Sequence, residues 1–278
     1  MTKRTQHLAK EEDYAYASGL LKAREELFIS KEELSLFNSF KNTTELLQHL
    51  EGKRYLFKGK IEDSLDFENI LLKRYLTELS EVVELLPENY LLNFLSLIHS
   101  VIYKFDPNIF KSASTVNFKD NLIELSLIAH TGTGYTKKIS SHIIDKFNIT
   151  EQFRARINNE ECNIYYESGN ISKESLETLF SSSFSDIPSQ IDSSLFKDFF
   201  LKNSPIKEIN FNLIFSFENY WFNLLESLAE EKKEEPYGLN YIISYFLRFL
   251  LEILSLNKIF LSLQFNIKTF IGESLKYG

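Results

Sequence analysis

The residues whose types and spacing could do chemistry lie near the carboxyl end of the chain. Tyr241, Tyr245, Arg248, Glu252 and Ser255 recur at intervals of four, three, four and three residues. On a helix this spacing places all five on one narrow stripe, with Arg248 and Glu252 able to form an i, i+4 ion pair. The stripe is either a solvated face that carries this pair, or a surface that faces a central cavity or a partner.

A glycine-containing loop at Thr131–Lys138 has some features of a phosphate-binding loop. It reads Thr-Gly-Thr-Gly-Tyr-Thr-Lys-Lys, but it lacks the first glycine of the Walker spacing and the Gly-Lys-Ser/Thr ending. It also follows a helical pattern instead of a strand. We interpret the loop as a helix boundary, with Thr136 starting the next helix, and expect no nucleotide or other cofactor there.

Neither histidine nor cysteine is spaced for metal binding or catalysis. The five histidines are scattered, without a His-Glu-x-x-His pair or a cysteine at ligand spacing. Cys162 follows Glu160 and Glu161, whose charges should raise the thiol pKa and lower its reactivity. We therefore predict no metal site and no catalytic nucleophile among these residues. The histidines are His7, His49, His99, His130 and His142.

Long helices are needed to position the stripe, and the composition favours them. The chain has nine glycines and five prolines in 278 residues. This combined share is less than half of the roughly 12% that glycine and proline make up in an average protein, so tight turns are scarce. The prolines fall between apolar-periodic stretches, where helices end. These features predict an all-α fold. The predicted long helices cover residues 10–28, 65–86, 88–105, 118–130, 206–228 and 239–256. A further helix is predicted beyond Thr150, through Phe153 and Ile157 and with Ile164 as a possible extension.

Two short helices are predicted to begin at capping boxes. Ser30 with Glu33, and Asn42 with Glu45, have the spacing at which two side chains satisfy reciprocal backbone donors. Gly19 lies inside the first long helix at a cost of about 1 kcal/mol relative to alanine, so we expect close packing against a neighbour there.

Aromatic residues are abundant, with 25 phenylalanines, 14 tyrosines and one tryptophan. They indicate either a heavily packed core or an adhesive surface. We assign Tyr14 and Tyr16 to the core.

The net charge of −8 and the absence of a Lys/Arg cluster argue against a nucleic-acid partner. The single cysteine cannot form an internal disulfide, and residues 1–7 lack the apolar segment of a secretory signal, so we expect a cytoplasmic location. Residues 239–256 are apolar enough for a membrane span to be considered. However, the Arg248 and Glu252 charges would be costly at mid-bilayer, and we predict no span.

One short sequence occurs twice. Ile29–Leu34 reads Ile-Ser-Lys-Glu-Glu-Leu and Ile171–Leu176 reads Ile-Ser-Lys-Glu-Ser-Leu. If the match is not a coincidence of helix-capping composition, it indicates duplicated helical units of roughly a hundred residues.

Three landmarks in the chain carry a family resemblance. The first is Tyr14-Ala15-Tyr16-Ala17, followed by basic positions and the capped acidic helix that begins at Ser30. The second is the turn Glu167–Asn170, followed by Ile171, Ser172 and an acidic helix start. The third consists of Tyr245, Glu252, Ile253, Leu256 and Ile259 in one register.

In this order, the landmarks resemble the C subunit of bacterial and archaeal V/A-type ATPases, the relative of subunit d of the eukaryotic vacuolar ATPase. They cover about a third of the chain. The sequence departs from the family at Ser18-Gly19-Leu20, where an arginine is usual, and at Phe249-Leu250, where a Lys-Glu pair is usual.

The resemblance implies a single all-α domain over residues 1–278, made of pseudo-symmetric helical subdomains around a funnel-like central cavity. It also implies a non-catalytic rotor subunit that joins the central stalk to the membrane proteolipid ring, peripheral to the membrane. The alternative is a free-standing α-helical adaptor that binds a partner peptide or helix in a groove. A more distant alternative is an all-α enzyme with a carboxylate-lined cavity, which would need paired acidic residues on facing helices that the sequence does not reveal.

Overall fold

A computed structural model describes residues 14–51, 53, 55, 57, 61, 63–86, 90–103, 118–181, 196–203 and 209–266. Of the described residues 77% are helical and none forms a strand, so the predicted all-α class is confirmed for this part of the chain. The funnel-like, pseudo-symmetric arrangement stays a prediction.

The described residues form eleven α-helices. They are α1 (Ala15–Lys22), α2 (Lys31–Phe37), α3 (Thr43–Glu51), α4 (Ser64–Val83), α5 (Tyr90–Tyr103), α6 (Phe118–Thr131), α7 (Gly134–Asn158), α8 (Lys173–Ser181), α9 (Lys197–Lys202), α10 (Phe211–Glu230) and α11 (Leu239–Phe265).

Local signals account for where several helices begin and end. At α2 both halves of the predicted capping box are present: Ser30 Oγ accepts from Glu33 N, and Glu33 accepts from Ser30 N. Only half of the second box forms, because Asn42 accepts from Glu45 N while Glu45 accepts from Lys41 N. Helices α7 and α11 each end at a left-handed asparagine, a residue type that tolerates this conformation.

The predicted boundaries differ from the observed ones at both ends of the chain. The first helix is shorter than the predicted 10–28, since α1 ends at Lys22 and a separate 3₁₀ turn covers Glu25–Leu27; residues 10–13 lie outside the described range. In contrast, α11 continues nine residues beyond the predicted end at Leu256. Its apolar pattern continues at Ile259 and Phe260, which are buried.

Helix α7 is also longer than predicted. It runs without interruption over 25 residues, whereas the sequence favoured a boundary near Thr136 and a separate helix after Thr150. The predicted loop between residues 181 and 194 lies outside the described residues except for Ser181, which ends α8.

By its internal packing the chain divides into two compact units. Unit 1 comprises Met1–Leu95 and Ala229–Gly278, and unit 2 comprises Ser96–Leu228. In unit 1, α11 packs on α4 and also contacts α1, α2 and α3; in unit 2, α7 packs on α6 and contacts α8. Whether the two units form the single predicted domain stays a prediction.

Each unit is built around one long helix that is covered on all sides. Every residue from 241 to 253 of α11, and every residue from 139 to 150 of α7, is buried. Burial on all faces is unusual for helices that carry charged side chains, because each buried polar group needs a partner. The candidate site therefore consists of the buried polar side chains of these two helices and the groups to which they are hydrogen-bonded or paired.

Aromatic side chains fill much of both units. In unit 1, the Phe67 and Phe260 rings stack at 4.4 Å between centroids. In unit 2, Phe217 lies edge-on to Phe153 at 5.4 Å. Among the described phenylalanines, Phe211 and Phe265 are strongly exposed, at 76% and 63%. Tyr14 is buried as predicted, but the prediction for Tyr16 is wrong, because it is 75% exposed.

Candidate functional site

The predicted stripe lies on α11, in the interior of unit 1. Tyr241 and Tyr245 are fully buried, and Arg248 and Glu252 are 8% and 6% exposed. Ser255 is partly buried and donates to Leu251 O of its own helix at 2.9 Å. The alternative of a solvated face is therefore wrong for this part of the chain.

Arg248 pairs with the segment that follows α1. Its Nη2 donates to Glu25 Oε1 at 2.6 Å, and Tyr241 Oη donates to the same oxygen at 3.1 Å. The Arg248–Glu252 pair, which the spacing allowed as one of two alternatives, does not form, because the guanidinium points to a residue 223 positions away in the sequence. Its planar carbon also lies 4.9 Å from the centre of the Phe28 ring, a cation–π contact.

Glu252 receives two hydrogen bonds at the next turn of α11. Its Oε2 accepts from Ile29 N at 2.7 Å, and its Oε1 accepts from Tyr55 Oη at 2.6 Å. Both bonds are buried. Two buried donors from distant parts of the chain therefore hold the Glu252 side chain in place.

Residues 24–29, here called the anchor segment, are thus attached to α11 at successive turns. The Phe28 ring packs edge-on to Tyr245 at 5.0 Å and to Phe249 at 6.2 Å. The anchor segment supplies Glu25 to Arg248 and the Ile29 backbone N–H to Glu252. Unit 1 therefore joins the beginning and the end of the chain by hydrogen bonds.

Sequence reasoning missed a second buried carboxylate in unit 1. Glu78 on α4 is fully buried, accepts from Tyr245 Oη at 2.9 Å, and has Arg74 Nη2 2.9 Å from its Oε1. Arg24 lies 3.8 Å from Glu78 and donates to Glu81 at 2.6 Å. The i, i+4 spacing of Arg74 and Glu78 was a visible signal, but its burial was not.

Burial and the Glu25 charge, in that order, raise the pKa of Tyr241, and burial raises that of Tyr75. Both phenols are therefore neutral at physiological pH. This makes Tyr241 a hydrogen-bond donor to Glu25 and gives it no role as a base.

A comparable arrangement occurs in unit 2. Asp145 on α7 is fully buried. Its Oδ2 accepts from Asn170 N at 3.0 Å and from Asn170 Nδ2 at 2.9 Å, while its Oδ1 accepts from Ile171 N at 3.1 Å. Residues 165–171, here called the clasp segment, lie along α7 at this point.

Other α7 side chains also bond the clasp segment through its backbone. Asn148 donates to Tyr166 O and accepts from Tyr166 N, both at 2.8 Å. Ser141 donates to Ser168 O at 3.0 Å. A Cβ at Gly169 would overlap Asp145 Oδ1, so only glycine allows the backbone to approach the carboxylate this closely.

The two units therefore hold the two copies of the sequence repeat in the same way. In each, a buried carboxylate of the central helix accepts the backbone N–H of the isoleucine that begins the repeat: Glu252 with Ile29 and Asp145 with Ile171. In each, the following serine caps the next helix, since Glu33 N donates to Ser30 Oγ and Ser175 N to Ser172 Oγ, both at 3.1 Å. The central helix follows its repeat in unit 1 and precedes it in unit 2, and duplication stays a prediction.

The histidines do not come together. His49 lies 3.4 Å from Glu33, His142 lies 3.5 Å from Asn170, and His130 is exposed. His99 is buried, which lowers its pKa to about 4; His7 lies outside the described residues. Within the described ranges, no three His, Cys, Asp or Glu side chains form a group that could hold a metal ion.

Cys162 and the Thr131–Lys138 loop are placed by local structure. The half-buried Cys162 thiol donates to Ile164 O at 3.4 Å. Its pKa is raised by burial and by the charge of Glu151, not by the adjacent glutamates that the sequence suggested. The loop joins α6 to α7, as a helix boundary would, but α7 begins at Gly134 and not at Thr136.

None of the helices in the described ranges is both long enough and apolar enough to cross a lipid bilayer. Neither protein-family models nor the sequences of curated proteins match this chain.

Proposed function

We propose that this chain is a non-catalytic rotor subunit of a V/A-type ATPase that couples the central stalk to the membrane proteolipid ring. It would sit on the cytoplasmic side as a peripheral component, and its partners would be stalk subunits of the D and F type and the ring. In this role it supports ATP-driven or ATP-forming ion transport and has no active site of its own.

One observation carries this proposal. The first and third family landmarks meet in unit 1 although they lie far apart in the sequence: Glu252 of the third accepts from the backbone N–H of Ile29, 223 positions away, which directly precedes the capped helix of the first. The second landmark is the clasp segment, which Asp145 holds in the same way. The stretches on which the resemblance rests are therefore those that organise the two units.

The physical character of the body suits a mechanical role. A part that transmits torque needs internal attachments that do not yield under load. In unit 1, the anchor segment is attached to α11 by a partly buried ion pair and by a hydrogen bond to the Glu252 carboxylate, which also accepts from Tyr55. Because the Glu25 side chain is 25% exposed, breaking this ion pair should cost about 1–3 kcal/mol, less than a fully buried pair, which is still enough to resist local opening.

Exposed apolar side chains could serve as contacts with the stalk or the ring. Phe211 begins α10 and Phe265 ends α11, and both rings are mostly in solvent. Burying a phenylalanine ring in an interface contributes roughly 1.5–3 kcal/mol. In the proposed role, at least one of the two becomes buried on assembly.

The experiment is affinity isolation of the tagged full-length chain from its native cells in mild detergent, followed by identification of the proteins that accompany it. We expect stalk and ring subunits at near-equal stoichiometry. Recovery of the chain as a lone monomer would overturn the proposal. Recovery with a single unrelated helical protein would also overturn it and would favour the adaptor alternative.

A further inference from the structure

Asp145 is a buried carboxylate without a cation. Its hydrogen bonds come from N–H groups of Asn170 and Ile171, and it forms no ion pair in the part of the chain that the structure describes. The neighbouring cation on α7, Lys146, lies 3.6 Å from Glu218 instead. Removing an unpaired carboxylate from water disfavours its charged form.

The same site can also hold Asp145 in its neutral form. Asn170 places one terminal atom of its amide 2.9 Å from Asp145 Oδ2 and 3.5 Å from His142 Nδ1. A flip of this amide would put its oxygen there, and that oxygen could accept the Asp145 proton and an N–H from His142. The two backbone N–H groups would keep their acceptors. A proton can therefore bind without breaking the attachment.

The titratable groups around Asp145 can be named for each neighbouring element. On the clasp segment, Tyr165 lies close enough for the Asp145 charge to contribute, after burial, to its raised pKa; Glu174 of α8 and Glu167 contribute in the same way. On α7 itself, His142 lies 3.5 Å from Asn170, which bonds Asp145, and Lys146 is the next residue in the chain. Among its described residues α6 forms no ion pair with Asp145. The surroundings are therefore poor in compensating positive charge.

We propose that Asp145 is a proton-binding group that tightens the attachment of the clasp segment to α7 as the pH falls and loosens it as the pH rises toward neutrality. The clasp segment precedes α8, so its release would also free the start of that helix from α7. The device is internal to unit 2 and does not depend on the role proposed above.

The direction and the size of the pH effect on clasp opening follow from the difference in the Asp145 pKa between the closed and open states. Burial raises the pKa of Asp145 from 3.8 to about 6, against the lowering effect of the Asn170 and Ile171 hydrogen bonds. With the clasp open, the carboxyl group is in water and its pKa returns to the ordinary value. The closed state therefore binds the proton more tightly, and the equilibrium constant for opening should rise about tenfold from pH 5 to pH 7.

The test is amide hydrogen exchange of the full-length chain, followed over the peptides that cover residues 165–171 and corrected for the intrinsic exchange rate at each pH. We expect about tenfold more opening at pH 7 than at pH 5. In Asp145→Asn the ratio should fall to near one, because the amide does not titrate. Ser141→Ala is the matched control: it removes a clasp bond that carries no titratable group, so opening increases at both pH values and the tenfold ratio remains.

His142→Gln removes the other titratable side chain that lies against Asn170, and it should keep the tenfold ratio. An unchanged or inverted ratio in the unaltered chain overturns the proposal, as does a ratio that survives in Asp145→Asn but disappears in His142→Gln. If Asp145→Asn does not fold, the carboxyl carbon of Asp145 can be titrated by NMR in the unaltered chain. A midpoint near 6 supports the proposal, and one below 4.5 contradicts it.

Discussion

Glu252 accepts a hydrogen bond from the backbone N–H of Ile29 at 2.7 Å, although 223 residues separate them in the chain. The same carboxylate accepts from Tyr55 Oη at 2.6 Å. Removing either donor or the acceptor leaves a buried polar group unpaired, which costs more than the net value of one hydrogen bond. The stability of unit 1 should therefore respond sharply to changes at Glu252.

Replacing Glu252 with glutamine should lower the free energy of unfolding by about 1–3 kcal/mol. The reason is that one carboxylate oxygen, a hydrogen-bond acceptor, becomes an NH₂ group, which would then face another donor. Urea unfolding of E252Q measures this. Glu177→Gln is the control, since the Glu177 side chain is 58% exposed and should change stability by less than about 0.5 kcal/mol. In a cycle with Tyr55→Phe, the two effects should be less than additive; full additivity would show that the Tyr55 bond does not contribute.

Replacing Arg248 with methionine should cost about 1–3 kcal/mol, below the range for fully buried pairs because the Glu25 side chain is 25% exposed. A double-mutant cycle with Glu25→Gln should give a coupling energy of about 1 kcal/mol or more, and one with Glu252→Gln should give a smaller value. A larger coupling energy between Arg248 and Glu252 than between Arg248 and Glu25 would show that Arg248 pairs within α11, as its spacing from Glu252 allows.

Two glycines should respond to alanine in opposite directions. In G169A the new Cβ overlaps Asp145 Oδ1, and we expect a loss of about 1–3 kcal/mol. In G19A the Cβ meets nothing within 4 Å, so helix propensity should stabilise the chain by about 0.5–1 kcal/mol. Thermal unfolding of the two variants checks both signs. If G19A destabilises the chain instead, the new Cβ must clash with a neighbouring group, and the open space beside Gly19 is occupied.

Glu33 should make the α2–α3 region sensitive to acid. Hydrogen bonds from Lys53, Ser30 N and His49 outweigh the opposing effect of burial and lower its pKa from 4.5 to about 2. Because the pKa is lowered in the folded state, the stabilisation is present above pH 4.5 and is lost as the pH falls from 4.5 toward 2. E33Q should therefore cost about 1–2 kcal/mol at pH 7 and much less at pH 3, as urea unfolding at the two pH values would show. An equal cost at both would contradict the assignment.

Phe211→Ser and Phe265→Ser test the exposed rings. Each is a surface change in the isolated chain, so stability should shift by less than about 0.5 kcal/mol. In the isolation experiment at least one should reduce recovery of stalk or ring subunits several-fold, while Glu177→Gln should not. Full recovery with both variants would exclude these rings as assembly contacts.

Much of the fold could be predicted because helix formation is decided by neighbours in the sequence. The box at Ser30 and Glu33 forms as expected, since both partners lie within one turn. Apolar periodicity identified the long helices. Their ends were misplaced where burial against the rest of the unit, and not local helix propensity, decides how far a helix continues, as at the extension of α11 to Phe265. Gly19 shows the limit: the sequence indicated close packing, but its helix face is open.

The candidate site was only half predictable for a related reason. The spacing of Tyr241, Tyr245, Arg248 and Glu252 correctly placed them on one stripe, because the period of a helix is a local property. It could not say whether that stripe faced water, nor that Arg248 would choose Glu25 over Glu252. Asp145 gave no signal at all, since a single aspartate in a polar helix looks solvated until the helix is seen to be covered.

The sequence by itself determined the all-helical class and the two copies of the capped Ile-Ser-Lys-Glu segment, because these follow from propensity and from contacts a few residues apart. Only the tertiary structure decided what those segments are attached to. Glu252 and Asp145 bind backbone N–H groups far away in the chain. Such pairs form between polar groups that folding buries together, because neither group can then hydrogen-bond to water. This pairing depends on the packing of the whole unit, which no local pattern encodes.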